Sequence, residues 1–217
     1  MKYIFLLLIL LNFESYSQDT KKEFEGYIEF EHKVIPHVEN YNVNYDYGGI
    51  GKSSRYTYSK GKIKFENRES YFVKDIFLSS EKSNYFITQN PDTIMLLDAT
   101  KLDAELIEFE IEPNVDTILN MSCSRITIKL KPIGKAGPVS YRRYYFSDEY
   151  YVNPEYFTDC KGSFYDIIYK EIKSIPLRIE YEWPNRTVVW QAIEVKNTKI
   201  EDAEFSYDKS KTIIKIN

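Results

Sequence analysis

Apolar and polar side chains alternate with a period of two along much of this chain, and that pattern constrains its fold more than any other. Phe24, Ile28 and Phe30 share one face of the first such run, while Glu29 and Glu31 share the other. Because successive side chains of a strand point to opposite faces, the pattern predicts a strand with one buried and one solvated face. The twenty tyrosines and thirteen phenylalanines agree with this interpretation, since aromatic residues favour strands.

Short turn signals connect the predicted strands. Lys60-Gly61 predicts a hairpin between residues 54–59 and 62–67, and residues 90–92 predict another between 84–89 and 93–97. Further strands are predicted at 71–79, 106–112, 124–131, 139–147, 179–183, 187–196 and 211–216. The sequence therefore predicts a mainly β fold: an antiparallel sheet of about 10 to 11 strands that must curl to bury its apolar face.

Two segments depart from the alternating pattern. The polar, glycine-containing segment 40–51 predicts a loop, with a short strand around Val43 and Tyr45 as the alternative. Within 141–182, Asn153-Pro154 is typical of a helix start, and the apolar spacing after Gly162 is helical. One or two short helices are therefore expected on the concave side of the sheet.

The first seventeen residues have the features of an export signal. Lys2 precedes a nine-residue apolar run, and Ser15 and Ser17 form a small-residue cleavage pattern before Gln18. An uncleaved membrane anchor is the alternative, but the run is far shorter than the roughly twenty residues that span a bilayer. Because no cysteine lies near the cleavage point, we expect an exported chain without a lipid anchor, in the periplasm or outside the cell. Residues 1–17 would be the signal peptide and 18–217 a single domain.

Cys123 and Cys160 are the only cysteines of the chain. In an oxidising compartment two cysteines pair by default, so a disulfide between them is expected. The alternative is two buried free thiols, because sequence does not supply the geometry that a bridge requires.

The sequence contains no recognised catalytic or metal-binding pattern. His32 and His37 are the only histidines, and His32 has the apolar parity of its strand, which predicts a core histidine. The net charge of −4 comes from interspersed acids and lysines, and a nucleic-acid partner is not expected from such a surface. We expect a protein that is not an enzyme and has no catalytic residue, metal or cofactor.

Four segments together resemble a known family. They are Phe24–Phe30, Ser59–Phe65, Asp116–Ile126 and Ile175–Tyr181. In order and spacing they resemble secreted Gram-negative domains of unknown function that look like relatives of the outer-membrane lipoprotein carrier (LolA-like) fold. The resemblance implies an open antiparallel barrel with short helices against its concave side. It also implies that lipid or lipoprotein acyl chains could be partners.

Two functional hypotheses follow. In the first, inward apolar residues line a cavity that binds a lipid or other hydrophobic ligand; they are Phe30, Phe65, Phe86, Phe109, Tyr145, Ile168 and Trp190. In the second, these residues fill the interior, and the protein is an interaction or structural module of the cell envelope. Exposed tyrosines such as Tyr141, Tyr150 and Tyr151 would then form the partner surface.

Overall fold

The structure, a computed structural model, describes residues 21–90, 92–102, 104–134 and 137–216. The predicted signal peptide and its cleavage site before Gln18 lie outside the described residues. None of the helices in these ranges is long and apolar enough to cross a membrane.

Twelve strands in the described part of the chain form one sheet. They are β1 (Gly26–Pro36), β2 (Ser53–Ser59), β3 (Lys62–Arg68), β4 (Phe72–Leu78), β5 (Ser83–Thr88), β6 (Thr93–Asp98), β7 (Ala104–Ile118), β8 (Met121–Pro132), β9 (Ser140–Tyr151), β10 (Ser174–Trp183), β11 (Arg186–Asn197) and β12 (Thr212–Ile216). The strand order is β12-β6-β5-β4-β3-β2-β1-β11-β10-β9-β8-β7. The predicted hairpins β2/β3 and β5/β6 are confirmed.

The mainly β, incompletely closed architecture agrees with the prediction, but the strand count and one pairing differ. The sheet has twelve strands, and β12 pairs with β6 in parallel. A parallel pair requires a crossover connection. Residues 198–211 carry the chain from β11 across the sheet to β12. Local turn signals do not indicate which strand β12 will pair with.

The sheet is curled. Phe65 on β3 and Trp190 on β11 are separated by β2 and β1, yet their ring centroids lie 5.1 Å apart. In a flat sheet, positions three strands apart are about 14 Å from each other. We call the face that carries Phe65 and Trp190 the concave face, and the opposite face, which carries Lys64 and Ile76, the convex face.

Two α-helices accompany the sheet within the described residues: α1 (Val43–Ile50) and α2 (Tyr165–Ile172). Short 3-10 helices lie at Ser79–Glu81, Pro154–Phe157, Gly162–Phe164 and Asp202–Phe205. The helical turn after Asn153 and α2 confirm the predicted insertion, and Asn153 accepts a hydrogen bond from the Glu155 backbone N–H as its cap. Helix α2 buries Ile168, Tyr169 and Ile172 in the main core.

Helix α1 corrects the prediction of a loop at 40–51. Its two glycines, Gly48 and Gly49, lower helix propensity, which is why the sequence favoured a loop. Tertiary contacts stabilise the helix instead. The Tyr47 hydroxyl accepts a hydrogen bond from the backbone N–H of Val34 at 3.2 Å, and Asp46 forms an ion pair with Arg186.

The apolar side chains form two cores on opposite faces of the sheet. The larger lies on the concave side between the strands and the insertion formed by residues 152–173. The smaller contains Ile76, Tyr85 and Ile94 of the convex face, and Phe205 of the C-terminal segment covers it. The C-terminal segment is thus a second layer on the outside of β3–β6.

Candidate functional site

The structure brings together five of the seven predicted cavity residues, in the main core or packed against it. Phe30 is fully buried and lies 6.5 Å from Trp190 between ring centroids, and Phe65 lies 5.1 Å from the same ring. Ile168 is buried in the same cluster. Phe109 packs against this cluster from β7 and remains half-buried.

The other two predicted residues do not line the concave side: Tyr145 belongs to the same buried cluster but lies on the opposite face, and Phe86 lies outside the cluster. Tyr145 pairs across the strands with Arg125 and Arg178, on the convex face, and its ring centroid lies 4.8 Å from the Arg178 guanidinium. It is buried against charged neighbours and does not line the concave side. Phe86 is half-buried outside the main cluster, 6.3 Å from Phe72.

Side chains of the insertion fill most of the interior that the sequence predicted as a cavity. The Phe157 ring stacks on Tyr169 at 3.9 Å and on Phe77 at 5.8 Å, and Tyr165 contacts Phe77 at 5.1 Å. Close packing of this kind leaves no room for a ligand. The concave face therefore combines a filled core with a smaller open region.

That open region is a cleft of ≈ 340 Å³ between α1 and the ends of β9, β10 and β11. Its walls are largely aromatic and its rim is charged; the lining residues are Asp46, Ile50, Ser140, Tyr141, Arg142, Tyr181, Trp183, Arg186, Val188 and Trp190. Of the predicted cavity residues, Trp190 alone lines it. Both tryptophans of the chain are in this lining.

Trp190 is the most constrained side chain of the cleft. Its ring stacks on His32 at 4.7 Å and meets Tyr181 edge-on at 5.9 Å. Its Nε1–H is buried and has no acceptor among the described residues. A buried donor without a partner is uncommon in folded proteins and costs free energy, so this position favours a ligand or water that accepts a hydrogen bond.

His32 supports Trp190 and behaves as the predicted core histidine. Its Nδ1 lies 3.1 Å from the Gly51 carbonyl oxygen and its Nε2 lies 2.8 Å from Ser54 Oγ. Burial lowers its pKa to about 4, so the ring is neutral at neutral pH. In that state Nδ1–H donates to the carbonyl and Nε2 accepts from the hydroxyl.

Two arginines form the charged rim. The Arg186 guanidinium lies 4.2 Å from the Trp183 ring centroid, and its Nε donates to Asp46 at 2.7 Å. Arg142 lies 5.9 Å from the Tyr181 ring centroid. Asp46 therefore balances the charge of Arg186. Stacked guanidinium groups also extend the apolar surface of the rings.

Sequence reasoning did not assign eight of these residues: Asp46, Ile50, Ser140, Arg142, Tyr181, Trp183, Arg186 and Val188. One signal could have found two of them. Tyr181, Trp183 and Trp190 have the same parity in the hairpin around Pro184-Asn185, which places them on one face. The contribution of α1 had no such signal, because it depends on the fold of a segment with low helix propensity.

The two cysteines correct the predicted disulfide, since both are buried and unpaired. Asp116 of β7 lies near Cys123, whereas Lys82, at the start of β5, lies near Cys160. Both thiols belong to the main buried cluster, and they donate to different backbone carbonyls: Cys123 to Met121 and Cys160 to Tyr156. Burial raises the pKa of both, to about 11 for Cys160, so both thiols are protonated at neutral pH.

The three tyrosines predicted to form a partner surface are all half-buried. Tyr141 lines the cleft, and Tyr150 packs edge-on against Phe24 at 5.4 Å. Tyr151 lies at the end of β9, where it pairs with Ser174 of β10. The three rings therefore belong to different environments.

Comparison with known proteins adds no family: no protein-family model and no curated protein matches this chain. The resemblance to carrier-like exported domains stays a prediction.

Proposed function

We propose that this protein binds a small hydrophobic or amphipathic molecule, such as a lipid acyl chain, in the concave cleft, without altering it chemically. The observation that carries the proposal is the aromatic cleft of ≈ 340 Å³ that remains beside an otherwise filled core. Small-molecule sites are concave and mostly apolar, with a few polar groups that orient the ligand. The indole N–H of Trp190 and the rim arginines are such groups.

The volume of the cleft limits the size of the ligand. Ligand sites commonly range from about 300 to 1,000 Å³, so this cleft belongs to the small end. Because Phe157, Tyr165 and Tyr169 occupy the rest of the interior, only one chain or a compact ring system fits. A lipid with several acyl chains would insert one of them and leave the others outside.

The sequence supports a location where such ligands occur. If residues 1–17 direct export, the domain meets its ligand in the periplasm or outside the cell, without a lipid anchor of its own. A carrier or sensor of apolar molecules in an aqueous compartment must shield them from water. The aromatic walls provide that shielding.

Tryptophan fluorescence tests this proposal directly, because both tryptophans line the cleft. Protein purified without detergent is titrated with dodecanoate and with dodecanol, and we expect a saturable change in emission for at least one of them. The variants W183F and W190F each retain one probe. If both indoles report the same site, the two single-tryptophan proteins give dissociation constants that agree within a few-fold.

Native mass spectrometry of the same samples supplies the stoichiometry, which we expect to be one ligand per chain. R142A removes a rim arginine and should weaken binding. R68A is its matched control and should leave binding unchanged, because Arg68 is exposed on β3 and lies outside the cleft lining. Emission that never saturates, together with the absence of any bound ligand by mass, would contradict the binding proposal and leave the envelope interaction module as the better hypothesis.

A further inference from the structure

A carboxyl group without a cationic partner lies on the concave face of β4. Asp75 pairs across the strands with Phe65 of β3 on one side and with Phe86 of β5 on the other. A phenylalanine therefore flanks the carboxyl on each neighbouring strand. The residue keeps a small accessible edge, but its Oδ1 is enclosed.

Hydrogen bonds satisfy only part of this site. The Asn84 amide lies close to the Asp75 carboxyl and partly offsets the effect of burial on the Asp75 pKa. The Oδ1 atoms of Asp75 and of Asn84 are then left buried without a donor among the described residues. Two enclosed acceptors on adjacent strands call for a group that donates hydrogen bonds.

The titratable groups around the Asp75 carboxyl do not neutralise its charge. The titratable groups that face it are the phenols of Tyr165 on α2 and Tyr181 on β10. No ion pair formed within the described ranges includes Asp75, and burial raises its pKa to about 7. The carboxyl therefore changes charge near neutral pH, in surroundings that are aromatic rather than basic.

Asp75 is not part of the cleft lining, but two neighbours connect it to the cleft. Tyr181 lines the cleft and lies within electrostatic reach of Asp75, and Phe65, which pairs with Asp75, contacts Trp190 of the cleft wall. A ligand whose chain follows the aromatic wall would bring one end to the carboxyl. The inference therefore rests on the proposed function and specifies the ligand's polar group.

We propose that Asp75 and Asn84 bind the protonated primary amine of an amphipathic ligand, with the rings of Phe65, Phe86 and Tyr165 around it. A primary ammonium group has three N–H donors, which match the two free acceptor oxygens and leave one for a phenol. Aromatic faces attract cations as well. A divalent metal would require six or more oxygen ligands, and a carboxylate ligand would be repelled by Asp75.

Four probes with the same chain length separate these alternatives by tryptophan fluorescence: dodecylamine, dodecyltrimethylammonium, dodecanol and dodecanoate. We expect dodecylamine to bind at least about tenfold more tightly than dodecanol at about pH 8.5. The trimethylated probe carries the charge but has no N–H, so it should show a smaller advantage. The advantage of the amine should shrink at about pH 5.5, because the carboxylate predominates only above about 7.

The substitution D75N keeps the shape of the side chain and removes its charge. It should abolish the amine's advantage and leave the affinity for dodecanol within about twofold. D148N makes the same change at an exposed position of β9 and should alter neither affinity. If D75N weakened all probes equally, its role would be structural and the amine site would be wrong.

Free alkylamines and ethanolamine lipids both carry a primary ammonium group. Lysophosphatidylethanolamine and lysophosphatidylcholine differ in that group alone, so tighter binding of the former would assign the site to a lipid headgroup, and equal binding would assign it to free amines. Binding of dodecanol without any preference for dodecylamine would overturn this inference and leave the proposed function intact. Failure of every probe to bind would overturn both.

Discussion

The two faces of strands β3 and β4 differ in whether a buried charged side chain has an ion-pair partner. On the convex face, Lys64 pairs with Glu66 at 2.9 Å and with Glu204 at 2.6 Å, and its side chain is only 3% exposed. On the concave face, one position along the same strands, Asp75 lies opposite Phe65 with no cation. The convex charge is satisfied within the chain, whereas the concave charge is not.

A buried charge with a partner and a buried charge without one have different consequences for stability. A buried ion that is paired and hydrogen-bonded holds elements together, and Lys64 attaches the C-terminal segment to the sheet in this way. A buried ion without a partner lowers stability and persists only where something else requires it. The comparison therefore favours a structural role for the charge on the convex face, and it agrees with the ligand-binding role proposed for the concave face.

The largest expected effect contrasts the two cores. F157A removes a fully buried ring that stacks on Tyr169 and Phe77, and we expect it to lower the free energy of unfolding by about 4 kcal/mol. F205A acts on the smaller convex core, where the C-terminal segment can detach by itself, and should cost about 2 kcal/mol. Urea unfolding followed by circular dichroism measures both. Equal costs would show that the C-terminal segment belongs to the same cooperative core.

The next effect concerns Asp75 and pH. Its pKa rises from 3.8 in the unfolded chain to about 7 in the folded state. Between these two pH values the folded protein keeps a proton on Asp75 that the unfolded chain has lost. Wild-type stability from this group is therefore greatest at low pH and falls as pH rises through about 7. D75N has no carboxyl group to ionise at this position. Its free energy of unfolding, relative to that of the wild type, should therefore increase by roughly 3 kcal/mol between about pH 4 and pH 8.

Chemical unfolding of both proteins at several pH values provides the measurement. His32 has the opposite dependence. Its pKa of about 4 lies below the ordinary value of 6.5, so its contribution to stability is lost as pH falls between these two values. That contribution is common to both proteins and cancels in their difference. A difference that stayed constant with pH would mean that Asp75 is ionised throughout.

The smallest effect concerns the convex charge. E204Q weakens the contact with Lys64 and leaves Glu66 in place, so we expect a loss of about 1 kcal/mol, reduced by the exposure of Glu204. E201Q is the matched control, because Glu201 pairs only with the exposed Lys199 in the described contacts. Limited proteolysis should cut the C-terminal segment faster in E204Q. Equal stability of the two variants would indicate that Phe205 alone holds the segment.

Local signals predicted much of the sheet. The hairpins at Lys60-Gly61 and at residues 90–92 depend on turn residues and on flanking alternation, and both formed as expected. In the predicted strand 124–131, the alternating residues Ile126, Ile128 and Leu130 are all buried. These features depend on residues that are close in sequence, which is why they can be derived without the fold.

Features that depend on distant residues were missed. Tyr145 lies on the convex face, although it adjoins the inward Tyr144, because an aromatic run such as Tyr144-Tyr145-Phe146 carries no alternation from which parity can be derived. The helical state of α1 depends on Arg186, 140 residues away. The pairing of the cysteines failed for the same reason, since only the fold decides which buried side chains meet.

By itself, the sequence determined that this chain forms an antiparallel sheet with an apolar face and one helical insertion, because strand and helix periods are local properties of the chain. The tertiary structure alone decided how strongly the sheet curls, which aromatic rings fill its interior and which remain in an open cleft. It also decided that Lys64 meets carboxylates while Asp75 meets phenylalanines. Curvature and the path of the C-terminal segment set those contacts, and both arise from packing between parts of the chain that are far apart in sequence.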